Sequence, residues 1–373
     1  MKIIFFCSSL EPGKDGVGDY TKLLAVELQK NFNCNVSIIA LNDTKIIHSF
    51  QGVQTVDNCK VDVLRLTASE SITSRVLKAK AYIDQFDPDW ISLQFVPYGF
   101  NNKGLAFGWP KVFKQLAAGR KVNIMFHELW IGISVISPLK HKLIGYVQRN
   151  IAKQLIKATH PDIVFTSNLL YKLLLHKVCK EVDLLPLFGN IPVATENIQF
   201  KNAIRTQIGI NSENNENAYL MGVFGNLYPN AGLEKVLNNL LNQEDFKNKE
   251  PFLIGFGNIS AEGHAEFQNL ANQFKNKIKF AHLGVLNEKQ VSNVFQMLDL
   301  GISTTPHQHI GKSGVFANMK LHGLDVLIPD GEILPEYDSQ IKEYNRNLIK
   351  KDKQEWSVEH IAHNFYSSLK IKS

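Results

Sequence analysis

From its first residue the chain alternates short runs of apolar and β-branched residues with longer stretches whose apolar positions recur every three to four residues. The short runs predict strands near residues 2 to 7, 35 to 40, 61 to 66, 89 to 95, 121 to 127, 161 to 166 and 182 to 187. The periodic stretches predict helices at about 18 to 31, 73 to 86, 109 to 119, 138 to 158 and 168 to 178. Such alternation predicts parallel sheets with crossover helices, the α/β class. At Pro186-Leu187-Phe188-Gly189-Asn190-Ile191-Pro192 two prolines and a glycine interrupt the pattern and a polar stretch follows, which predicts a hinge. A second series has strands near 219 to 225, 251 to 256, 278 to 283, 298 to 303 and 325 to 328, with helices after the first four. The polar stretch 211 to 217 predicts a surface connection. After a charged segment comes a last amphipathic helix, Val358 to Leu369, with Ile361, Phe365 and Leu369 on one stripe. The expected division is 1–192, 193–355, and a terminal segment 356–373.

A length of 373 residues agrees with two domains, each able to bury a core. With 44% hydrophobic and 20% charged residues, the composition is that of a globular protein. The apolar run Ile3 to Cys7 leads at once into Glu11-Pro12-Gly13-Lys14, so it reads as a buried strand rather than a signal peptide. No apolar stretch approaches the roughly 20 residues of a membrane span. A soluble, unprocessed, cytoplasmic protein is expected. Cys7, Cys34, Cys59 and Cys179 are scattered without C-x-x-C spacing, which predicts free thiols in a reducing compartment.

Charge changes the picture in one respect. Residues 1 to 195 carry 23 Lys and Arg against 15 Asp and Glu, while the remainder has a net charge of −2. A basic first half attracts phosphates, acidic saccharides or anionic lipid head groups, or is simply a solvated lysine-rich surface. Within it, Leu139 to Ala158 places Lys140, Lys142, Arg149, Lys153 and Lys157 among Leu143, Ile144, Val147, Ile151 and Leu155. That pattern fits peripheral contact with an anionic membrane, and equally a core-packed helix with a basic outer face.

Candidate chemistry clusters at predicted strand ends. Gly16-Val17-Gly18-Asp19-Tyr20-Thr21 follows the first strand and enters a helix, where backbone N–H groups can approach a bound group. The same residues also fit a tight turn capped by Asp19 or Thr21. His127 and Glu128 end the fifth strand, and Gln94 with Tyr98 ends the fourth, residue types suited to hydrogen-bonding and stacking on a sugar. Gly225-Asn226, Gly257-Asn258 and His282-Leu283-Gly284 end three successive strands of the second half, and together they suggest a nucleotide site. Lys312-Ser313-Gly314 at a helix start offers amide donors beside a cation and a hydroxyl, suited to a diphosphate, with Asn318 five residues on. It is not a P-loop, because the five-residue lead from a first glycine is absent.

These segments together resemble the GT-B glycosyltransferases, and within them the family 4-like (group 1) enzymes of bacteria. The similarity lies in Gly16 to Thr21 with Leu23-Leu24-Ala25, in Leu93 to Tyr98, in Phe126-His127-Glu128 and in Pro186 to Pro192. It continues through Phe224-Gly225-Asn226, His282-Leu283-Gly284 and Met319 to Val326. The resemblance implies two Rossmann-like domains facing a cleft, the first for an acceptor and the second for a nucleotide-sugar, with the last helix crossing back to the first. It implies metal-independent sugar transfer from a UDP- or GDP-sugar to a saccharide or lipid-linked acceptor, usually with retention. It also implies His127 on the donor sugar and Asp19 near the acceptor; no cofactor and no nucleic acid are implied.

Two departures stand out. The family's paired glutamates fall on Ile310 and Asn318, so both acids are absent; Asn318 retains the capacity to bond a ribose. The Arg/Lys pair expected after Gly225 is replaced by Asn226 and Asn230-Ala231-Gly232, which leaves Lys312 to supply the positive charge. The leading expectation is an active glycosyltransferase; its rival is a catalytically degenerate, nucleotide-binding partner subunit. An NAD-dependent oxidoreductase is disfavoured, since no complete dinucleotide fingerprint is present.

Overall fold

The computed structural model describes residues 1–211, 216–228, 231–246, 248–331 and 334–372. The chain forms two units: Met1–Pro186 together with the chain from Val358 onward, and Leu187–Ser357.

The first unit is built on strands β1 (Lys2–Cys7), β2 (Asn35–Asp43), β3 (Phe50–Val56), β4 (Cys59–Thr67), β5 (Trp90–Phe95), β6 (Lys121–Phe126), β7 (Ile163–Thr166) and β8 (Asp183–Leu184). Its helices are α1 (Gly16–Phe32), α2 (Ile72–Phe86), α3 (Pro97–Phe100), α4 (Trp109–Ala117), α5 (Leu139–Thr159) and α6 (Leu169–Leu175). The sheet order is β3-β4-β2-β1-β5-β6-β7-β8. Every pairing is parallel except that of β3 with β4, a departure from the all-parallel expectation. β3 escapes sequence reading because Phe-Gln-Gly-Val-Gln-Thr-Val lies half-exposed on a sheet edge and lacks a strong apolar run. Its hairpin turn is Asp57-Asn58, both with positive φ (47° and 61°), the backbone a two-residue turn requires.

The core is aromatic: Phe5, Phe6, Trp90, Phe95, Phe113, Phe126 and Phe165 are fully buried. Phe365 of the last helix joins it, with ring centroids 5.7 Å from Phe5 and 6.0 Å from Phe165. Removing such a ring costs about 3–5 kcal/mol, so the last helix is part of this core rather than an appendage.

The second unit contains β9 (Ala218–Phe224), β10 (Glu250–Phe256), β11 (Lys279–His282), β12 (Leu300–Ile302) and β13 (Val326–Leu327), in the order β11-β10-β9-β12-β13, all parallel. Its helices are α7 (Ile198–Gln207), α8 (Leu233–Leu241), α9 (Ala261–Gln273), α10 (Glu288–Phe295), α11 (Gly314–Leu321) and α12 (Pro335–Ile349). Alternate strand residues feed two cores: Leu220, Phe252 and Ile254 pack with Phe295 and Phe316, and Met221, Val223 and Leu253 pack with Leu237 and Phe267. Helices on both faces of a parallel sheet make this a doubly wound unit. The final helix, α13 (Val358–Ile371), returns to the first unit.

The strand orders fix where ligands can sit. In each sheet the order reverses beside the first strand, between β1 and β5 in one unit and between β9 and β12 in the other. Open α/β sheets bind ligands outside the carboxyl ends of strands at such reversals. All four cysteines are free thiols. Among the described residues, no helix is long and apolar enough to cross a membrane.

Candidate functional site

In the second unit the reversal between β9 and β12 is bordered by Gly225-Asn226 on one side and Ser303-Thr304-Thr305 on the other. Gly225, Gly257 and Gly284 have φ of +77°, +96° and +71°, so each strand turns away through backbone that a side chain would strain. They are bonded in series: Gly225 N–H donates to Phe256 O (2.9 Å) and Gly257 N–H to Gly284 O (2.8 Å). Asn226 ties the edge together, its Oδ1 accepting from Ser260 N–H (2.9 Å) and its carbonyl from the Thr304 hydroxyl (3.1 Å). Asn230, named with Asn226 as a replacement for the basic pair, lies outside the described residues.

The helix start predicted at Lys312-Ser313-Gly314 stands beside this reversal. α11 begins at Gly314 with Ser313 as its cap, the hydroxyl accepting from Phe316 N–H (3.2 Å) and from the Thr305 hydroxyl (3.2 Å). The N–H groups of Gly314 and Val315 have no partner among the described residues, and a Cβ on Gly314 would meet open space. A Cβ on Gly225 would lie 3.9 Å from Val315 Cγ2, which places the first strand's turn against the helix start. Lys312 is half-buried. Its charge helps hold the pKa of His309 down to about 3, a shift due first to burial and next to Lys312. His307 and Asp338, overlooked in the sequence, anchor the segment before α11 through an Nε2–Oδ1 contact of 2.5 Å, with Gln308 Nε2 donating to the same carboxylate (3.0 Å). Their separation of 31 residues hides the pair from any local pattern.

Two residues are already engaged. Asn318 is buried; its Oδ1 accepts from Ile191 N–H (2.8 Å), and its Nδ2 donates to Asn190 Oδ1 (2.8 Å) and Gly314 O (2.9 Å). That geometry assigns it to holding residues 190–191 against α11, not to a ribose. Ile310 is 1% exposed, a core residue where the resemblance leads one to expect a sugar-binding acid. At the outer strand, His282 Nδ1 accepts from Gly284 N–H (3.2 Å), and burial followed by the neighbouring His264 lowers its pKa.

In the first unit, Asp15 rather than Asp19 or Thr21 caps α1: its Oδ1 accepts from Val17 and Gly18 N–H (3.0 Å each), and its Oδ2 from the Ser8 hydroxyl (3.0 Å). A Cβ on Gly18 would lie 2.3 Å from Ser9 O, so this glycine serves close packing of the helix on the loop, whereas Gly16 faces open space. Asp19 accepts from Gly13 N–H (3.0 Å) and pairs with Lys22 Nζ (2.8 Å), bracing the loop from within. Deeper in, Arg65 bridges buried Asp43 and Glu11, 2.8 Å from each, and Ser9 donates to Asp43 (2.9 Å). The loop beyond β1 is therefore held rigidly.

His127 emerges from β6 next to this loop. Its Nε2 lies 2.8 Å from Gln94 Oε1, and Gln94 Nε2 donates to Ser92 Oγ (2.9 Å), which donates in turn to Asn123 Oδ1 (2.7 Å). Because Gln94 presents its oxygen, the assigned tautomer carries hydrogen on Nε2 and leaves Nδ1 as an acceptor. The ring makes an edge contact with Tyr20 at 5.0 Å. Burial pushes its pKa down to about 3, so it is neutral at physiological pH. Gln94 is thus used in orienting His127. Tyr98 is 39% exposed and accepts weakly from Gln148 Nε2 (3.4 Å), and Glu128 is half-buried. Among the described residues no group of three or more His, Cys, Asp or Glu side chains is placed to hold a metal ion.

No protein-family model matches the chain, and no curated protein matches it. Among solved structures, a sucrose-phosphate synthase from Thermosynechococcus elongatus matches over 100% of both chains, with TM-score 0.61 and 14% identity. The catalytic domain of starch synthase IV from Arabidopsis thaliana, bound to ADP and acarbose, matches over 100% of this chain and 99% of its own, with TM-score 0.53 and 13% identity. A putative UDP-N-acetylglucosamine 2-epimerase from Listeria monocytogenes matches over 99% and 95%, with TM-score 0.52 and 13% identity. At such identities the likeness is one of fold, and the fold is the GT-B arrangement of two Rossmann-like domains.

Proposed function

We propose that this chain is a glycosyltransferase that moves a sugar from a UDP- or GDP-sugar to an acceptor hydroxyl, with retention and without a metal. The observation that carries the reading is the β9/β12 reversal, where the turn at Gly225 and the open helix start at Ser313-Gly314 meet beside Lys312. In transfer, the bond from the anomeric carbon to the diphosphate oxygen breaks and its electron pair leaves with the diphosphate. The acceptor oxygen bonds to the same carbon and gives its proton to the departing diphosphate. The rising negative charge falls where Lys312 and the Gly314 and Val315 N–H groups can neutralise it. Gly225, Asn226, Gly257, His282 and Gly284 border the nucleotide; a starch synthase similar in fold is bound to ADP. His127, neutral and oriented by Gln94, offers Nδ1 to a sugar hydroxyl rather than a proton to the leaving group. Asp19, Tyr98 and Glu128 lie on the acceptor side.

A second reading, a degenerate nucleotide-binding subunit, is favoured by one observation: neither Ile310 nor Asn318 is free to replace the missing acids. A thermal-shift panel of UDP-, GDP-, ADP- and TDP-sugars without added metal tests binding. Stabilisation by one nucleotide class, weakened roughly tenfold to a hundredfold in Lys312→Ala, is expected for a charge-assisted contact of about 1.5–3 kcal/mol. Silence from every nucleotide would leave the donor site without support. Turnover of the bound donor, with product analysis, then separates transfer from epimerisation and from binding alone. Equal rates in wild type and His127→Ala would remove His127 from the mechanism.

A further inference from the structure

Helix α5 carries two faces of different character. Its inner stripe, Gly145, Gln148, Ile151, Ala152 and Leu155, is buried, and Gly145 packs so closely on the loop before it that a Cβ there would lie 1.9 Å from Ile131 O. Arg149 stacks on Trp130 at 5.9 Å, further fastening that loop. The helix is therefore anchored without any outside partner.

The opposite stripe, at three- and four-residue spacing, begins with Leu139, Leu143 and Tyr146 and ends with Lys153 and Lys157. The preceding loop adds Val135 and Ile136 to its apolar end. These five apolar side chains are between 51% and 85% exposed. A cluster of that kind marks a contact surface, since scattered single residues need no explanation but a contiguous group does. From Leu129 to Pro161 the chain contains no acidic residue, and Lys140, Lys153 and Lys157 have no acidic partner among the described residues.

We propose that this face of α5, with the Val135-Ile136 loop, docks on an anionic lipid surface. An apolar tip beside unpaired lysines suits the boundary between acyl chains and acidic head groups. A second copy of the chain fits less well, because the same face on a partner offers Lys153 and Lys157 no acidic group. The inference stands apart from the transfer reading; if both hold, the acceptor is one presented at that surface.

Co-sedimentation of the full chain with vesicles is the test. Binding to mixed phosphatidylglycerol and phosphatidylcholine vesicles, falling with salt, and none to phosphatidylcholine alone, is the expected result. Ile136→Asp/Leu143→Asp abolishes binding without lowering the melting temperature, since both side chains are exposed. Lys153→Ala/Lys157→Ala, a milder change, weakens partitioning roughly twenty-five-fold, about fivefold per lysine. Absence of binding to anionic vesicles, equal binding to neutral ones, or wild-type binding by the lysine variant overturns the proposal. So does a dimer, seen by light scattering, that the aspartate variant dissociates, because the face then belongs to a second copy. Nucleotide-sugar thermal shifts on the same preparations report the other unit, so a failure of one reading is distinguishable from a failure of the other.

Discussion

Acidification from pH 7 to pH 5 should destabilise the first unit through His127. Its pKa is about 3 in the folded chain against an ordinary value of 6.5. Below 6.5 the unfolded chain therefore takes up a proton that the folded chain refuses. The sign follows: stability is intact above 6.5 and is lost progressively as pH falls toward 3. At pH 5 the unfolded group has been protonated across 1.5 pH units while the folded one remains neutral, a loss of about 2 kcal/mol at 1.36 kcal/mol per unit. Replacing His127 with Gln, which cannot titrate, should remove this component whatever it costs in packing at neutral pH. Urea unfolding followed by tryptophan fluorescence measures the effect. Trp90, Trp109 and Trp130 belong to the first unit and Trp356 to the second, so a Trp356→Phe background reports the first unit alone. The expected outcome is a pH 7 to pH 5 loss about 2 kcal/mol smaller in His127→Gln than in the parent. Parallel pH curves for the two would mean that His127 is not held neutral, and the argument that it acts only as a hydrogen-bonding group would fail with it. His309→Gln provides the matching control, since His309 is held at about 3 in the other unit and its replacement should leave the first unit's curve unchanged.

Three further substitutions test the packing at Gly18 and the tether at Asn318, with Gly16 as the open-space comparison. Gly18→Ala should destabilise the first unit by about 1–3 kcal/mol, because its Cβ meets Ser9 O, whereas Gly16→Ala should be neutral or stabilising by up to about 1 kcal/mol; urea titration of the pair distinguishes close packing from ligand approach. Asn318→Ala should lower the second unit's stability by about 1–3 kcal/mol and leave nucleotide affinity unchanged, while an affinity loss without a stability loss would return Asn318 to the ribose.

Strong apolar runs made most of the fold legible: the parallel strands of both sheets fall within a few residues of their predicted places. The elements missed have thin patterns. β3 is an exposed edge strand, and α12 buries Ile341, Asn345 and Leu348 among many charged residues. The glycine-ended strands and the Ser313 helix start were readable because turn and cap chemistry is local. Roles set by distant partners were not. Gln94 looks like a free sugar ligand until His127, 33 residues away, is found on its oxygen, and Asn318 looks free until Ile191, 127 residues away, is found on its own. Asp15 was overlooked as the cap because Asp19 and Thr21 offer equally good local chemistry, and only the backbone shows α1 beginning at Gly16.

The return of α13 to the first unit bears on the order of events during synthesis. Phe5 is made before the second unit, yet the ring that stacks on it, Phe365, is made only after the whole of it. Leu187–Ser357 is complete in sequence before α13 is made, and its two ends are clipped together by Gly189 N–H donating to Trp356 O at 2.9 Å. The first unit must wait, with an apolar groove open where α13 will lie. A chain cut after Ser357 would thus hold every residue of the second unit and still lack part of the first, the reverse of the order in which the two begin.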